Sequence, residues 1–145
     1  MFRFRLQAVL DHRKRQEEEK QRELALVNRD LMRTREELEA LIIGREEGAQ
    51  KLTELERTAK DVREMKLYED FLDGRDMDIA WKRKEVANVM ERVRQKQLEL
   101  QEYLKRRRVM EIYRDRLRDA YTQEEKRRER ILADEVATQM WFREA

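Results

Sequence analysis

The chain contains no cysteine and no proline, has only three glycines, and carries no long hydrophobic run. Without cysteine there is no disulfide, no thiolate nucleophile and no thiolate-bound zinc, and the redox compartment leaves no mark on the sequence. Without proline, and with only Gly44, Gly48 and Gly74, the chain lacks the turn residues that a sheet or a compact many-helix fold needs at each connection. The N-terminal FRFRLQAVLDHRKR has an apolar stretch too short, and too interrupted by arginine, for a signal peptide or a membrane span. A soluble cytoplasmic protein is expected.

Charge is what the sequence has in abundance. Of 145 residues, 47% are Asp, Glu, Lys or Arg and 39% are hydrophobic, the composition of long helices that bury a narrow seam. The expected object is an all-α rod. With 35 basic and 33 acidic residues the net charge is +2, but its distribution is uneven. Thr34 to Asp70 holds 7 basic and 11 acidic residues, a local −4, whereas Lys105 to Arg130 holds 11 basic and 6 acidic, a local +5.

Apolar residues recur at alternating spacings of three and four, the pattern of a coiled-coil seam. From Leu24 a first seam runs through Val27, Leu31, Thr34, Leu38 and Leu41, is interrupted by Arg45 and Gly48, and resumes at Leu52, Leu55, Ala59 and Val62. Upstream, Leu6 and Val9 continue to Arg13, Gln16 and Lys20 before a further step of four to Leu24, a stutter that predicts a loosely held segment. A second seam keeps heptad spacing from Tyr68 through Leu72, Arg75, Ile79, Lys82, Val86, Val89, Val93, Lys96, Leu100, Tyr103, Arg107 and Met110. It goes on through Arg114, Leu117 and Tyr121 to Phe142, increasingly diluted by charge, which predicts an unpartnered tail.

Two seams require a break between them. Around Arg57 to Arg63, Thr58 precedes Asp61 by three and Asp61 precedes Glu64 by three, both resembling a capping box. Asp73-Gly74 is the competing turn signal, but heptad spacing passes through it undisturbed and one helical glycine costs only about 1 kcal/mol. The preferred reading is a single coiled-coil domain over residues 1–145, with a first helix at about 2–57, a turn at about 58–63 and a second helix at about 64–142. Folding back there sets Val27 opposite Val93, Leu31 opposite Val89, Leu41 opposite Ile79 and Gly48 opposite Leu72. Helices of on the order of 80 and 120 Å follow, with roughly the last 25 residues overhanging. A monomeric antiparallel hairpin is preferred to a parallel bundle of unbroken chains, although the same residues serve both.

Little in the sequence supports catalysis or a cofactor. His12 is the only histidine and builds neither a metal site nor a dyad by itself. No glycine-rich phosphate loop is present, and acidic clusters such as Glu17-Glu18-Glu19 point their side chains apart on a helix. The basic block from Lys105 to Arg130 is interleaved with Glu111, Asp115, Asp119, Glu124, Glu125 and Glu129, which argues against nucleic acid as a partner. Trp81, Tyr113, Trp141 and Phe142 instead suggest protein contacts, because large aromatics on a two-helix rod cannot all be internal.

Three stretches carry a resemblance. Phe2 to Arg13, followed by Glu17 to Leu24, resembles the F-x-F-x-L-x-x-V-L-x-x-R opening of flagellar FliJ proteins. Leu67-Tyr68-Glu69-Asp70-Phe71-Leu72 is similar to that family's Y-x-x-F-L segment, and Tyr121 to Arg130 with Asp134-Glu135-Val136-Ala137 is similar to its closing helix. The resemblance implies an antiparallel two-helix coiled coil like the central stalk, or gamma subunit, of rotary ATPases. It also implies a non-enzymatic role in flagellum assembly and motility. The partners so implied are the hexameric flagellar export ATPase (FliI), the export gate protein FlhA and export chaperones, met at the cytoplasmic face of the inner membrane at the flagellar base.

Carried over residue by residue, the resemblance implies a gate contact at Glu37, Leu41, Gly44, Gly48, Phe71, Arg75, Asp78 and Lys82. It implies an ATPase-ring contact at Phe2, Arg3, Arg5, Arg13, Tyr121, Arg127, Arg128, Trp141 and Phe142, where a basic overhang suits an acidic ring interior. The family can have aromatics where Gly44 and Gly48 stand, and apolar residues where Arg75 and Asp78 stand. Leu41, Gly48, Arg75 and Lys82 fall on seam positions, so a gate contact there needs either a slip of register near the turn or use of the flanking faces. The alternatives are a related injectisome stalk of the YscO type, a dimeric coiled-coil scaffold, or a nucleic-acid-binding coiled coil.

Overall fold

A computed structural model describes residues 1–58 and 61–144. It consists of two helices, α1 (Gln7–Thr58, 52 residues) and α2 (Val62–Glu144, 83 residues), which pack against each other as a helical hairpin, with no strand among the described residues. The chain divides into two compact units, Lys20–Leu100 and Met1–Glu19 with Gln101–Ala145.

In the unit Lys20–Leu100 the seams deduced from spacing are the ones that pack. Every first-seam position from Leu24 to Leu55 and every second-seam position from Tyr68 to Leu100 is buried or half-buried. Ile79, Val89 and Val93 retain 8% exposure or less. Thr34 takes a core slot because its hydroxyl donates to the carbonyl of Asp30 at 2.7 Å, which satisfies the one polar group it brings inside. The two helices run antiparallel here, since Glu23, Glu37 and Arg45 of α1 pair with Lys96, Lys82 and Asp76 of α2. Leu72 lies against Gly48, as folding back near residue 60 requires.

The helix break is explained by one side chain. Asp61 accepts a hydrogen bond from the backbone N–H of Arg63 at 2.9 Å, and its carbonyl accepts from Met65, which makes it the N-cap of α2. Helix α2 therefore begins at Val62, which is 80% exposed and is not the last residue of the first seam that its spacing suggests. Thr58, the competing cap, ends α1 instead, with its hydroxyl bonded back to the carbonyl of Glu54 at 3.2 Å. Ala59 and Lys60, on which part of the turn assignment and one seam position fall, lie outside the described residues. Helix α2 runs through Asp73-Gly74 without interruption.

The second unit departs from expectation at both ends of its α1 stretch. Helix α1 begins at Gln7, not near residue 2. Phe2 and Phe4 are half-buried while Arg3 is exposed, an alternation of extended chain that ends in a turn at Arg5-Leu6 closed by the Gln7 N–H to Phe4 carbonyl bond at 3.1 Å; on a helix Phe2 and Phe4 would point about 200° apart. The Phe2 ring lies 5.7 Å from that of Tyr121, and Phe4 meets Tyr113 edge-on at 6.0 Å. The stutter is also absent. The packed positions are Leu6, Leu10, Arg13 and Glu17, with Leu10 fully buried and Val9 39% exposed, and they keep the three-four alternation through Lys20 to Leu24. Glu17 occupies a core slot, only 7% exposed, because its carboxylate accepts from the Arg107 guanidinium, which also reaches Glu111 at 2.8 Å. Polarity hid this slot from a count of apolar residues, and the ion pair fills it.

The second seam thins at Leu117 and ends at Tyr121. From Thr122 to Glu144 every described residue is exposed.

Two substitutions separate the two readings of the first seam. Leu10→Ala is expected to cost about 2–5 kcal/mol in urea denaturation, and Val9→Ala less than about 0.5 kcal/mol. Equal effects would restore the stutter. Gly74, whose Cβ would meet nothing within 4 Å, is expected to yield about 0.5–1 kcal/mol of added stability as Gly74→Ala, measured in the same way.

Candidate functional site

Near the helix break two glycines open the hairpin. A Cβ on Gly48 would stand 2.8 Å from Cε1 of Phe71, so the absence of a side chain is what lets that ring lie across α1. One turn earlier, a Cβ on Gly44 would meet nothing within 4 Å. The result is a groove of about 540 Å³ between Gly44, Glu47, Gly48 and Lys51 of α1 and Glu64, Leu67, Tyr68 and Phe71 of α2. A second hollow of about 490 Å³ shares Gly44 and Phe71 and adds Glu37, Ala40, Leu41, Arg75 and Lys82.

Seven of the eight residues assigned to a gate contact thus line these two hollows, and the eighth, Asp78, joins them through Arg75. The Arg75 guanidinium sits 5.0 Å from the Phe71 ring centre and bonds Asp78 at 2.9 Å. Lys82 reaches Glu37 at 2.7 Å and Glu85 at 2.9 Å. The register does not slip: Gly48 is buried in the seam, while Leu41, Arg75 and Lys82 are half-buried with side chains that line the flanking hollow. The seam and the flank are therefore served by the same residues, through stem and head group respectively. Glu47, Lys51, Glu64, Leu67 and Tyr68 also line the groove and were not assigned to the contact; of these Leu67 and Tyr68 carried a signal, as part of the Y-x-x-F-L segment, and Tyr68 also as the start of the second seam.

The nine residues assigned to a ring contact are less concentrated. Phe2 and Tyr121 are in ring contact, and Arg3 and Arg5 project outward between the anchored phenylalanines. Arg13 donates to the carbonyl of Arg106 at 3.1 Å, a structural engagement that holds the hairpin. Arg127 and Arg128 are exposed and both lie within 4.0 Å of Glu124. Trp141 and Phe142 touch each other edge-on at 5.4 Å and are 66% and 68% exposed. Phe4 and Tyr113 belong with the first of these groups; the alternation of FRFRL with arginine was the signal for Phe4.

The acids interleaved in the basic block work at contact range. Glu111 pairs with Arg107 and Arg108, Asp115 with Arg114 and Arg118, and Glu124 with Arg127 and Arg128. Elsewhere Trp81 is 70% exposed with the Lys84 ammonium 5.4 Å from its ring centre. Among the described residues no group of three or more His, Cys, Asp or Glu could hold a metal ion, and no helix is long and apolar enough to cross a membrane.

The family described as flagellar FliJ protein matches this chain over residues 1–145. The chain belongs to the FliJ family. Comparison with individual curated proteins and with solved structures returned no match. FliJ membership makes the chain a component connected with flagellar protein export, and its two-helix hairpin is the architecture in which any partner must be met.

Charge pairs across this FliJ hairpin set its pH dependence. The hydrogen bond from Lys82 holds the Glu37 carboxyl below its ordinary value of 4.5, and those from Lys20 and Lys96 do the same for Glu23. Glu37 and Glu23 in turn raise Lys82, Lys20 and Lys96 above 10.5. A depressed carboxyl contributes stability above its unfolded value and loses it as pH falls; a raised ammonium contributes below its unfolded value and loses it as pH rises. The thermal midpoint is expected to be flat from about pH 6 to 9 and to fall on both sides, below about 4.5 and above about 10.5. A midpoint that rises on acidification, followed by circular dichroism, would show that these pairs do not stabilise the hairpin.

Proposed function

We propose that this FliJ-family chain serves as the central stalk of the flagellar export ATPase hexamer, links that ATPase to the export gate, and escorts export chaperones. The observation that carries the reading is the unpartnered end of α2. From Thr122 to Glu144 a helix with no packing partner exposes Ile131, Leu132, Val136, Met140, Trp141 and Phe142, directly after a block with a local charge of +5. A helix that exposes so much apolar surface is stable in a partner's cavity, and a basic approach to it favours an acidic one.

In this reading α2 beyond Tyr121 enters the ring of FliI subunits, with Arg127 and Arg128 meeting carboxylates of the ring and Trp141 and Phe142 seated deepest. The extended segment bearing Arg3 and Arg5 lies against Tyr113 and Tyr121 and supplies positive charge at the ring mouth. The flank lined by Glu37, Leu41, Gly44, Phe71, Arg75 and Lys82 meets the gate protein FlhA. Work is done at the cytoplasmic face of the inner membrane, by contacts alone: the ATPase supplies the chemistry, and a stalk acts by binding some states of the ring more tightly than others.

The test is the rate of ATP hydrolysis by the export ATPase of the same organism as this chain is added. A saturable rise at a ratio well below one chain per ATPase subunit is expected. A chain truncated after Tyr121 should keep its helical hairpin by circular dichroism and lose the stimulation, since everything removed is exposed. Reversal of Arg127 and Arg128 to glutamate should weaken stimulation several-fold without loss of helicity. Full stimulation by the truncated chain would move the ring contact elsewhere, and a doubled mass in sedimentation without stimulation would favour a dimeric scaffold.

A further inference from the structure

The groove at Gly44 and Gly48 combines an apolar wall with charged residues at its border. Phe71, Leu67 and Tyr68 form the apolar side of this open groove of about 540 Å³. Of the charged residues on this flank, Glu37, Arg75 and Lys82 are already in ion pairs. Glu47, Glu64 and Lys51, which border the groove itself, make none among the described residues, leaving two carboxylates against one ammonium. They stand in the stretch from Thr34 to Asp70 whose net charge is −4.

We infer that this groove binds an amphipathic helix of a partner protein, with a bulky apolar side chain of that helix seated on Gly44 against Phe71 and a lysine or arginine beside it facing Glu47 and Glu64. This rests on the reading of the flank as the gate-binding surface and adds the chemistry of what is bound. The direction of the fit follows from the glycines. The space over Gly48 is taken by Phe71, whereas Gly44 has no side chain to insert and no neighbour over it, so the bulk there must come from the other side. Helices commonly dock in this way, with one or two apolar anchors setting affinity and flanking charge setting which helix is accepted.

The three glycines supply the assay. In an ¹⁵N-labelled chain, Gly44 and Gly48 report from the groove, and Gly74 on α2, with open space around it, serves as the control. The probe is a synthetic amphipathic helical peptide with a phenylalanine flanked by lysines, set against a counterpart with glutamate in place of each lysine. The lysine peptide is expected to move the Gly44 and Gly48 amide resonances saturably, to leave Gly74 in place, and to bind at least ten-fold more tightly than the glutamate peptide. Gly44→Leu fills the groove where a Cβ meets no neighbour, so it should keep the fold and its thermal midpoint while losing the Gly48 response. Absence of movement, equal response to both peptides, or an undiminished response in Gly44→Leu would overturn the inference. So would movement of the same resonances with rising chain concentration alone, which would make a second copy the occupant. The cytoplasmic domain of the gate protein is titrated in parallel. Binding that leaves Gly44 and Gly48 unmoved also overturns the inference, whereas failure of that domain to bind counts against the gate reading alone, because the peptides decide the groove.

Discussion

A hairpin of two helices can bury only the stripe where they touch, and that constraint governs everything else in this molecule. Each slot along the stripe must be filled from one narrow row of positions, so a polar residue in the row has to bring its own partner. The chain meets the requirement repeatedly. Glu17 is held by Arg107, Lys82 by Glu37 and Glu85, and Lys20 and Lys96 alternate with Glu23 and Glu99 in a closed square of contacts between 3.2 and 3.4 Å. No buried side-chain nitrogen or oxygen of the described residues lacks a hydrogen-bond partner. Such pairs add little stability where they are exposed, but they help to set the register: Lys20, which pairs with Glu99, would meet Arg92 or Arg106 after a slide by one heptad. The pairs fix which residues of α1 face which residues of α2, and the apolar slots then supply most of the binding energy between the helices.

A stripe so narrow leaves most of each helix outside. Large apolar residues on the outer faces, Trp81 and Met77 among them, are scattered in the hairpin but follow one another closely from Ile131 to Phe142. Function in a molecule of this kind is carried by surfaces that folding does not use. That is why nothing resembling a catalytic centre is needed to make sense of the chain, and why the two places of interest are an unpacked helix end and a gap in the packed row. Both arise from a failure of the seam: at one the partner helix runs out, and at the other a side chain is withheld.

The fold was legible in the sequence because the same spacing that sets the helix period also sets the packing row, and strict alternation from Tyr68 to Tyr121 left one solution for α2. What was not legible depended on pairings across the chain. Glu17 ranks as a surface residue until Arg107 is placed beside it, and Val9 ranks as a core residue until Leu10 takes its slot. The start of α1 was misplaced because Phe2 and Phe4 were counted as members of a helical pattern, when their alternation with Arg3 is the signature of extended chain held by tyrosines more than a hundred positions away. The residues assigned to a gate contact came from the resemblance, and the groove they border did not, because an open space is a property of two helices at a given separation and has no sequence symbol of its own.

Glycine is where that last point becomes an energetic argument. In the interior of a helix each glycine costs about 1 kcal/mol relative to alanine. At Gly48 the cost has a return inside the hairpin, since the Phe71 ring occupies the space a side chain would take. At Gly44 it has none, because outside its own turn of helix nothing lies within 4 Å of the missing Cβ. Packing within the hairpin accounts for one of these glycines and leaves the other unexplained, yet the two stand on the same face, one turn apart, and together create a single depression. A partner's side chain entering that depression would stand over Gly44 as the Phe71 ring stands over Gly48, and the contact energy missing from folding would then be supplied by binding.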